Sequence, residues 1–79
     1  MEALEIFTNK LKDWQREGYY VLLNNFYNMP DKNIGFVVSY DNDNSKFIFK
    51  LYVNRELNEK HYKDEEVNKL IEEIDSLIK

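Results

Sequence analysis

Hydrophobic residues near both ends of the chain follow a helical period. The first set recurs at spacings of three and four residues: Leu4, Phe7, Leu11 and Trp14. Gly18 follows it as a left-handed helix stop. The second set follows Asp64, a good N-cap, and has the same period: Val67, Leu70, Ile71, Ile74, Leu77 and Ile78. The pattern predicts helices over residues 2–17 and 64–79.

Three strand-like runs lie between these helices, and the pattern predicts strands over residues 19–26, 34–40 and 46–53. The last two runs alternate between apolar and polar positions, as half-buried strands do. Short polar connectors separate the three runs, which favours hairpins and an antiparallel meander. Residues 54–63 show no period and are predicted to form a loop. The predicted order is α-β-β-β-α.

Two helices with one apolar stripe each and a three-stranded sheet predict a single α+β domain with two layers. The sheet face predicted to form the core carries Phe36, Val38, Phe47, Phe49, Leu51 and Val53. We favour both helices on that one face. The reverse face would then expose Val37, Ile48, Tyr52, Tyr20 and Leu22 beside Lys46 and Lys50, a patch more apolar than a solvated face needs. The alternative, one helix on each face, leaves no such patch.

The net charge of −4 comes entirely from the end of the 79-residue chain. Residues 1–63 carry nine acids and nine bases, whereas residues 64–79 carry six acids against Lys69 and Lys79. Five of these acids form a candidate partner-binding ridge: Glu65, Glu66, Glu72, Glu73 and Asp75. Such a ridge attracts a basic partner. The simpler interpretation, which we favour, is a solvated helix face with i,i+4 ion pairs.

The chain shows no set of residues that would support catalysis or bind a metal or cofactor. It has no cysteine, and its only histidine, His61, lies in a polar segment without a converging nucleophile. The Asp41–Ser45 loop lacks the glycine and glutamate of a calcium loop, because Lys46 and Tyr52 hold those positions. The sequence also lacks a signal peptide and an apolar run long enough to span a bilayer. It therefore predicts a cytoplasmic protein that is not an enzyme.

The helix ending before Gly18, the meander and the polar hairpin at 41–45 resemble two families in layout. In double-stranded-RNA-binding domains a lysine cluster opens the second helix, but this chain has Asp64, Glu65 and Glu66 there, which removes the phosphate contacts. The chain also resembles the small acidic phage anti-CRISPR inhibitors of Cas9, some of which combine a helix, a three-stranded meander and helical C-terminal material. That resemblance implies an acidic surface that occupies a DNA-binding site. It carries over no particular functional residue.

The sequence thus predicts a non-enzymatic protein-binding module, of the kind that phages and mobile elements encode to block a nucleic-acid-processing protein. It would bind through the acidic helix or through the face carrying Val37, Ile48 and Tyr52. One alternative is a homodimer that buries the same face. The other, less favoured because of the negative charge, is a single-stranded nucleic-acid binder that stacks bases on tyrosines beside Lys46 and Lys50.

Overall fold

The computed structural model describes residues 2–79, which form two helices and four strands. Helix α1 is Ala3–Arg16, and α2 is Val67–Ile78. The strands are β1 (Tyr27–Met29), β2 (Ile34–Asp41), β3 (Lys46–Val53) and β4 (Glu56–Lys63). Single 3₁₀ turns at Pro30–Lys32 and Asp64–Glu66 follow β1 and β4. Neither helix has both the length and the apolar character that crossing a membrane requires.

The four strands form one antiparallel meander in chain order, β1-β2-β3-β4. Phe36 pairs with Leu51 and Val38 with Phe49, so the buried side chains of β2 and β3 share one face. Since strand residues alternate between faces, this register defines a core face and a reverse face along the whole sheet. Of the residues predicted for the core face, only Val53 is incompletely buried, because it lies at the end of β3.

Both helices pack on the core face. Phe7 of α1 lies against Phe47, with 5.2 Å between ring centroids. Helix α2 reaches the same face through Glu73, which accepts a hydrogen bond from Tyr62, the β4 partner of Phe47. The buried side chains of both helices and of β2 and β3 form one hydrophobic cluster. We call the opposite side of the sheet, which neither helix covers, the open face.

The predicted strand over residues 19–26 is wrong. Tyr19, Val21 and Leu23 do alternate inward as predicted, and Val21 is buried in the core. The segment is nevertheless irregular, because Asn24 turns the backbone through a left-handed conformation with φ of 63°. Pairing with β2 is confined to the three residues of β1. Gly18, with φ of 98°, ends α1 as expected.

The predicted loop over residues 54–63 is also wrong, and the sheet has four strands instead of three. Asn54 and Arg55 form a two-residue turn, and β4 then pairs with all eight residues of β3. The second helix starts later than predicted, since Asp64–Glu66 form a 3₁₀ turn. Asp64 does not cap the helix; its carboxylate accepts a hydrogen bond from Tyr40 at 2.9 Å. Glu66 instead accepts the Lys63 backbone N–H at 3.1 Å.

Candidate binding face

The open face carries a band of apolar side chains that runs across the sheet. Val37 of β2 and Ile48 and Tyr52 of β3 lie there at alternate positions and are each partly exposed. Leu57 of β4 pairs with Tyr52 and is 51% exposed. Phe26, just before β1, lies 5.7 Å from Tyr52 between ring centroids and is 56% exposed. We call these five residues the apolar band.

Phe26 lies on the open face because Gly35 has no side chain. A Cβ atom built on Gly35 would fall 2.1 Å from Cζ of Phe26, so the ring occupies the space that any other residue would fill. Gly35 itself is buried. The rings of Phe26 and Tyr52 are in edge contact, and a groove of about 510 Å³ lies beside them, with Arg55 also in its lining.

The charged residues of the open face lie mostly at the other end of the sheet, where two lysines face carboxylates and Lys63 faces Lys46. Lys50 is opposite Glu59, and Lys46 is opposite Asp41. A hydrogen bond from His61 at 2.7 Å, helped by the nearby lysines, holds the pKa of Glu59 below its ordinary value. Hydrogen bonds from the 41–45 turn, chiefly from Asn44, lower the pKa of Asp41. Both carboxylates therefore stay ionised near neutral pH and offset the two lysines.

Several carboxylates of the predicted acidic ridge have partners within the fold. Glu73 accepts hydrogen bonds from Tyr62 and, at 2.8 Å, from Lys60, so it ties α2 to β4. Burial opposes ionisation of Glu73, but these two donors outweigh it and lower its pKa. The same burial and the adjacent carboxylate raise the pKa of the Tyr62 hydroxyl.

Asp75 is engaged in the same way. Its carboxylate accepts the Trp14 indole N–H at 2.8 Å and lies 3.1 Å from the Lys79 ammonium, so it links α2 to α1. The Trp14 hydrogen bond, followed by that of Lys79, lowers the pKa of Asp75. Only Glu65 and Glu72 of the predicted ridge are exposed and outside the ion pairs that residues 2–79 form.

Tyr20, the remaining predicted site residue, is 70% exposed but lies in the irregular segment after α1, not on the sheet. The structure thus brings together Val37, Ile48 and Tyr52 and separates them from Tyr20. Sequence reasoning missed Phe26, Leu57 and Arg55. A signal existed for Leu57, which is the one aliphatic residue in the polar run 54–63. For Phe26 there was none, because its position depends on the register of β1 with β2.

The open face holds one histidine–carboxylate pair, His61 with Glu59. The hydroxyl on the same cross-strand row is that of Ser39, but Ile48 lies between Ser39 and His61 in the register. Two strand spacings of about 4.8 Å each separate them, beyond hydrogen-bond reach. His61 is therefore too far from Ser39 to take a proton from its hydroxyl.

No protein-family model matches the chain, and no curated protein or solved structure is detectably similar to it.

Proposed function

We propose that the chain is a non-enzymatic protein-binding module that docks its open face on a protein partner. The observation that carries this proposal is the apolar band, in which Phe26 and Leu57 remain more than half exposed. Aromatic and aliphatic groups at the centre of a patch with charges around it are typical of protein interfaces. Four strands of up to eight residues give a face of about 500 Å², enough for the centre of a standard interface.

The mode of action that we propose is occlusion, in which the bound module covers a functional site of its partner. The resemblance to acidic anti-CRISPR inhibitors suggests a nucleic-acid-processing protein as that partner, and the concentration of net charge in residues 64–79 supports it. The free carboxylates for a basic groove are those of Glu65 and Glu72. Glu73 and Asp75 contribute less, because their carboxylates hold α2 in place.

A matched pair of variants tests the docking face. Leu57→Glu places a charge in the apolar band, and Leu22→Glu makes the same change at a residue that is similarly exposed, at 45%, but lies off the sheet. Both side chains are about half exposed, so both variants should remain folded. We expect Leu57→Glu to weaken binding to a purified partner at least tenfold in calorimetric titration and Leu22→Glu to leave it unchanged. Equal effects of the two variants would remove the open face from the proposal.

The acidic contribution is tested separately by Glu65→Lys with Glu72→Lys, since neither side chain takes part in an internal ion pair among residues 2–79. If these acids stand in for phosphates, the double variant should slow association and flatten its dependence on salt concentration. An unchanged salt dependence would exclude phosphate mimicry and leave the open face alone to bind the partner.

The alternatives predicted from the sequence use the same face, and simple measurements distinguish them. A homodimer would sediment as a dimer at high protein concentration, and the Leu57→Glu variant would sediment as a monomer. That result would identify the partner of the open face as a second copy of this chain. A single-stranded nucleic-acid binder would retain oligonucleotides at low salt. The second alternative is disfavoured because Lys46 and Lys50 lie opposite Asp41 and Glu59 in the register.

A further inference from the structure

We infer that the groove beside the contacting rings of Phe26 and Tyr52 is a subsite for one aromatic or large aliphatic side chain of a partner peptide, together with an adjoining carboxylate that Arg55 binds. This inference rests on the proposed function, because it specifies what part of a protein partner the open face takes. It draws on the shape of the groove, the charge in its lining and the backbone conformation of Arg55.

The groove has the size and lining that a buried side chain needs. Its volume of about 510 Å³ falls within the usual range for ligand sites. The rings of Phe26 and Tyr52, which are in contact with each other, line it together with Val37. An aromatic ring inserted there would meet ring faces and edges in the arrangements that aromatic pairs prefer.

Arg55 supplies the one charged group in the lining of the groove. None of the ion pairs formed within residues 2–79 includes its guanidinium. A guanidinium group binds a carboxylate through two parallel hydrogen bonds, which gives direction as well as attraction. A ligand that complements this groove therefore carries a single negative charge next to an apolar group.

The backbone at Arg55 supports a role in binding. Asn54 and Arg55 have φ values of 52° and 73°, as a two-residue type I′ hairpin turn requires. The second position of such a turn strongly favours glycine, so arginine there carries a conformational cost. Strained residues of this kind cluster at ligand sites. Arginine at position 55 therefore lowers the stability of the turn and places a guanidinium group in the lining of the groove.

A second turn holds this one in place. The side-chain amide of Asn33 donates to Oδ1 of Asn54 at 2.8 Å, and the Asn54 backbone N–H donates to the Asn33 carbonyl at 3.1 Å. Asn33 is itself left-handed, with φ of 56°, and follows the 3₁₀ turn after β1. The two turns at this end of the sheet are therefore cross-linked, which fixes the backbone from which the Arg55 side chain extends.

These charges favour a peptide over a nucleic acid strand. A strand needs a series of cations spaced along its phosphates. The groove offers one cation; farther along the face Lys46 and Lys50 lie opposite Asp41 and Glu59, and Lys63 lies outside the groove. A peptide with a terminal or side-chain carboxylate beside a bulky residue needs only one cation.

The test uses two small probes, N-acetyl-phenylalanine with a free carboxylate and the same compound as its amide. In ¹H–¹⁵N NMR titrations at millimolar concentrations, we expect the carboxylate to shift the amide signals of Gly35, Val37 and Arg55. We expect it to bind about fivefold more tightly than the amide, as a partly solvated charge-assisted hydrogen bond predicts. Shifts elsewhere on the molecule, or equal binding of the two probes, would overturn the inference.

Arg55→Gly separates binding from folding. It should abolish the preference for the carboxylate and at the same time raise Tm by about 4 °C, because glycine suits the turn better. Lys63→Gln, which removes a cation of the same face outside the groove, should leave the preference intact. A preference that survives Arg55→Gly would overturn the inference, and so would tighter binding of a short oligothymidine than of the carboxylate probe. Loss of partner binding in Leu57→Glu without any probe binding would reject this subsite but retain the docking face.

Discussion

Gly35→Ala is expected to destabilise the protein only because Phe26 is present. The new methyl group would lie 2.1 Å from Cζ and 2.7 Å from Cε2 of the Phe26 ring, far inside van der Waals contact. Gly35 lies in strand β2, and its φ is not positive, so its backbone accepts alanine without strain. Because Phe26 is more than half exposed, its side chain can rotate away into solvent. The substitution should therefore expel the ring and leave the sheet intact.

The magnitude follows from the surface that Phe26 buries. With 56% of the side chain exposed, the covered part of a phenylalanine of about 200 Å² is about 90 Å². At about 25 cal/mol per Å², expelling the ring costs about 2 kcal/mol. Replacing glycine by alanine in a strand returns about 0.5–1 kcal/mol. The net loss in the free energy of unfolding should be about 1–1.5 kcal/mol, which lowers Tm by about 4–10 °C.

A double-mutant cycle with Phe26→Ala checks the reasoning by urea unfolding. Once the ring is gone, Gly35→Ala meets open space and should stabilise the protein by about 0.5 kcal/mol, so the effect changes sign between the two backgrounds. The upfield ring-current shift expected for the α-protons of residue 35 should be lost in Phe26→Ala, and the single α-proton at position 35 should lack it in Gly35→Ala. Equal effects of Gly35→Ala in both backgrounds would show that Phe26 does not lie on Gly35.

Two further predictions concern the contacts that hold α2. Trp14→Phe removes the indole donor from Asp75 and a fully buried volume, and should cost about 1.5–3 kcal/mol in urea unfolding at pH 7. The lowered pKa of Asp75 stabilises the fold above the ordinary carboxyl pKa of 3.8, and this stabilisation is lost as pH falls through the folded pKa. The difference in the free energy of unfolding between this variant and the native chain should therefore become smaller below about pH 4. A difference that does not change with pH would contradict the hydrogen bond between Trp14 and Asp75. Tyr62→Phe should cost about 1 kcal/mol and raise the pKa of Glu73 in an NMR titration, because one of its two donors is lost. An unchanged Glu73 pKa would contradict that contact.

The sequence predicted β3 to the residue and β2 to within one residue, because both strands bury every second side chain against a layer of helices. Strand β4 gave no such signal. On its core face only Tyr62 is largely apolar, and Lys60 meets α2 through the carboxylate of Glu73. A strand covered through polar contacts on one face and open to solvent on the other has no hydrophobic alternation to detect. The turn before it was hidden as well, since Arg55 occupies a position where glycine is the usual signal.

The composition of the open face was predicted only in part for a related reason. Alternation along β2 and β3 is a local property, so Val37, Ile48 and Tyr52 were assigned correctly to one side of the sheet. The place of Phe26 depends on which residue of β2 lies beside it. Gly35, the residue that makes room for the ring, is nine positions away in sequence. Such a contact follows from strand register, which single-sequence patterns do not specify outside regular hairpins.

The acidic residues at the end of the chain affect the open face through the packing of the helices and not through their net charge. Glu73 connects α2 to β4, and Asp75 connects it to Trp14 of α1, so both of these acids hold α2 against the rest of the fold. Both connections lie on the core side of the sheet and draw the two helices together over it. With both helices held there, none of residues 2–79 covers Phe26 and Leu57. The exposure of these two side chains thus depends on carboxylates that do not contact them. Weakening either connection should therefore change binding at the open face only through the stability of the fold, whereas Leu57→Glu should weaken binding even where the variant remains fully folded.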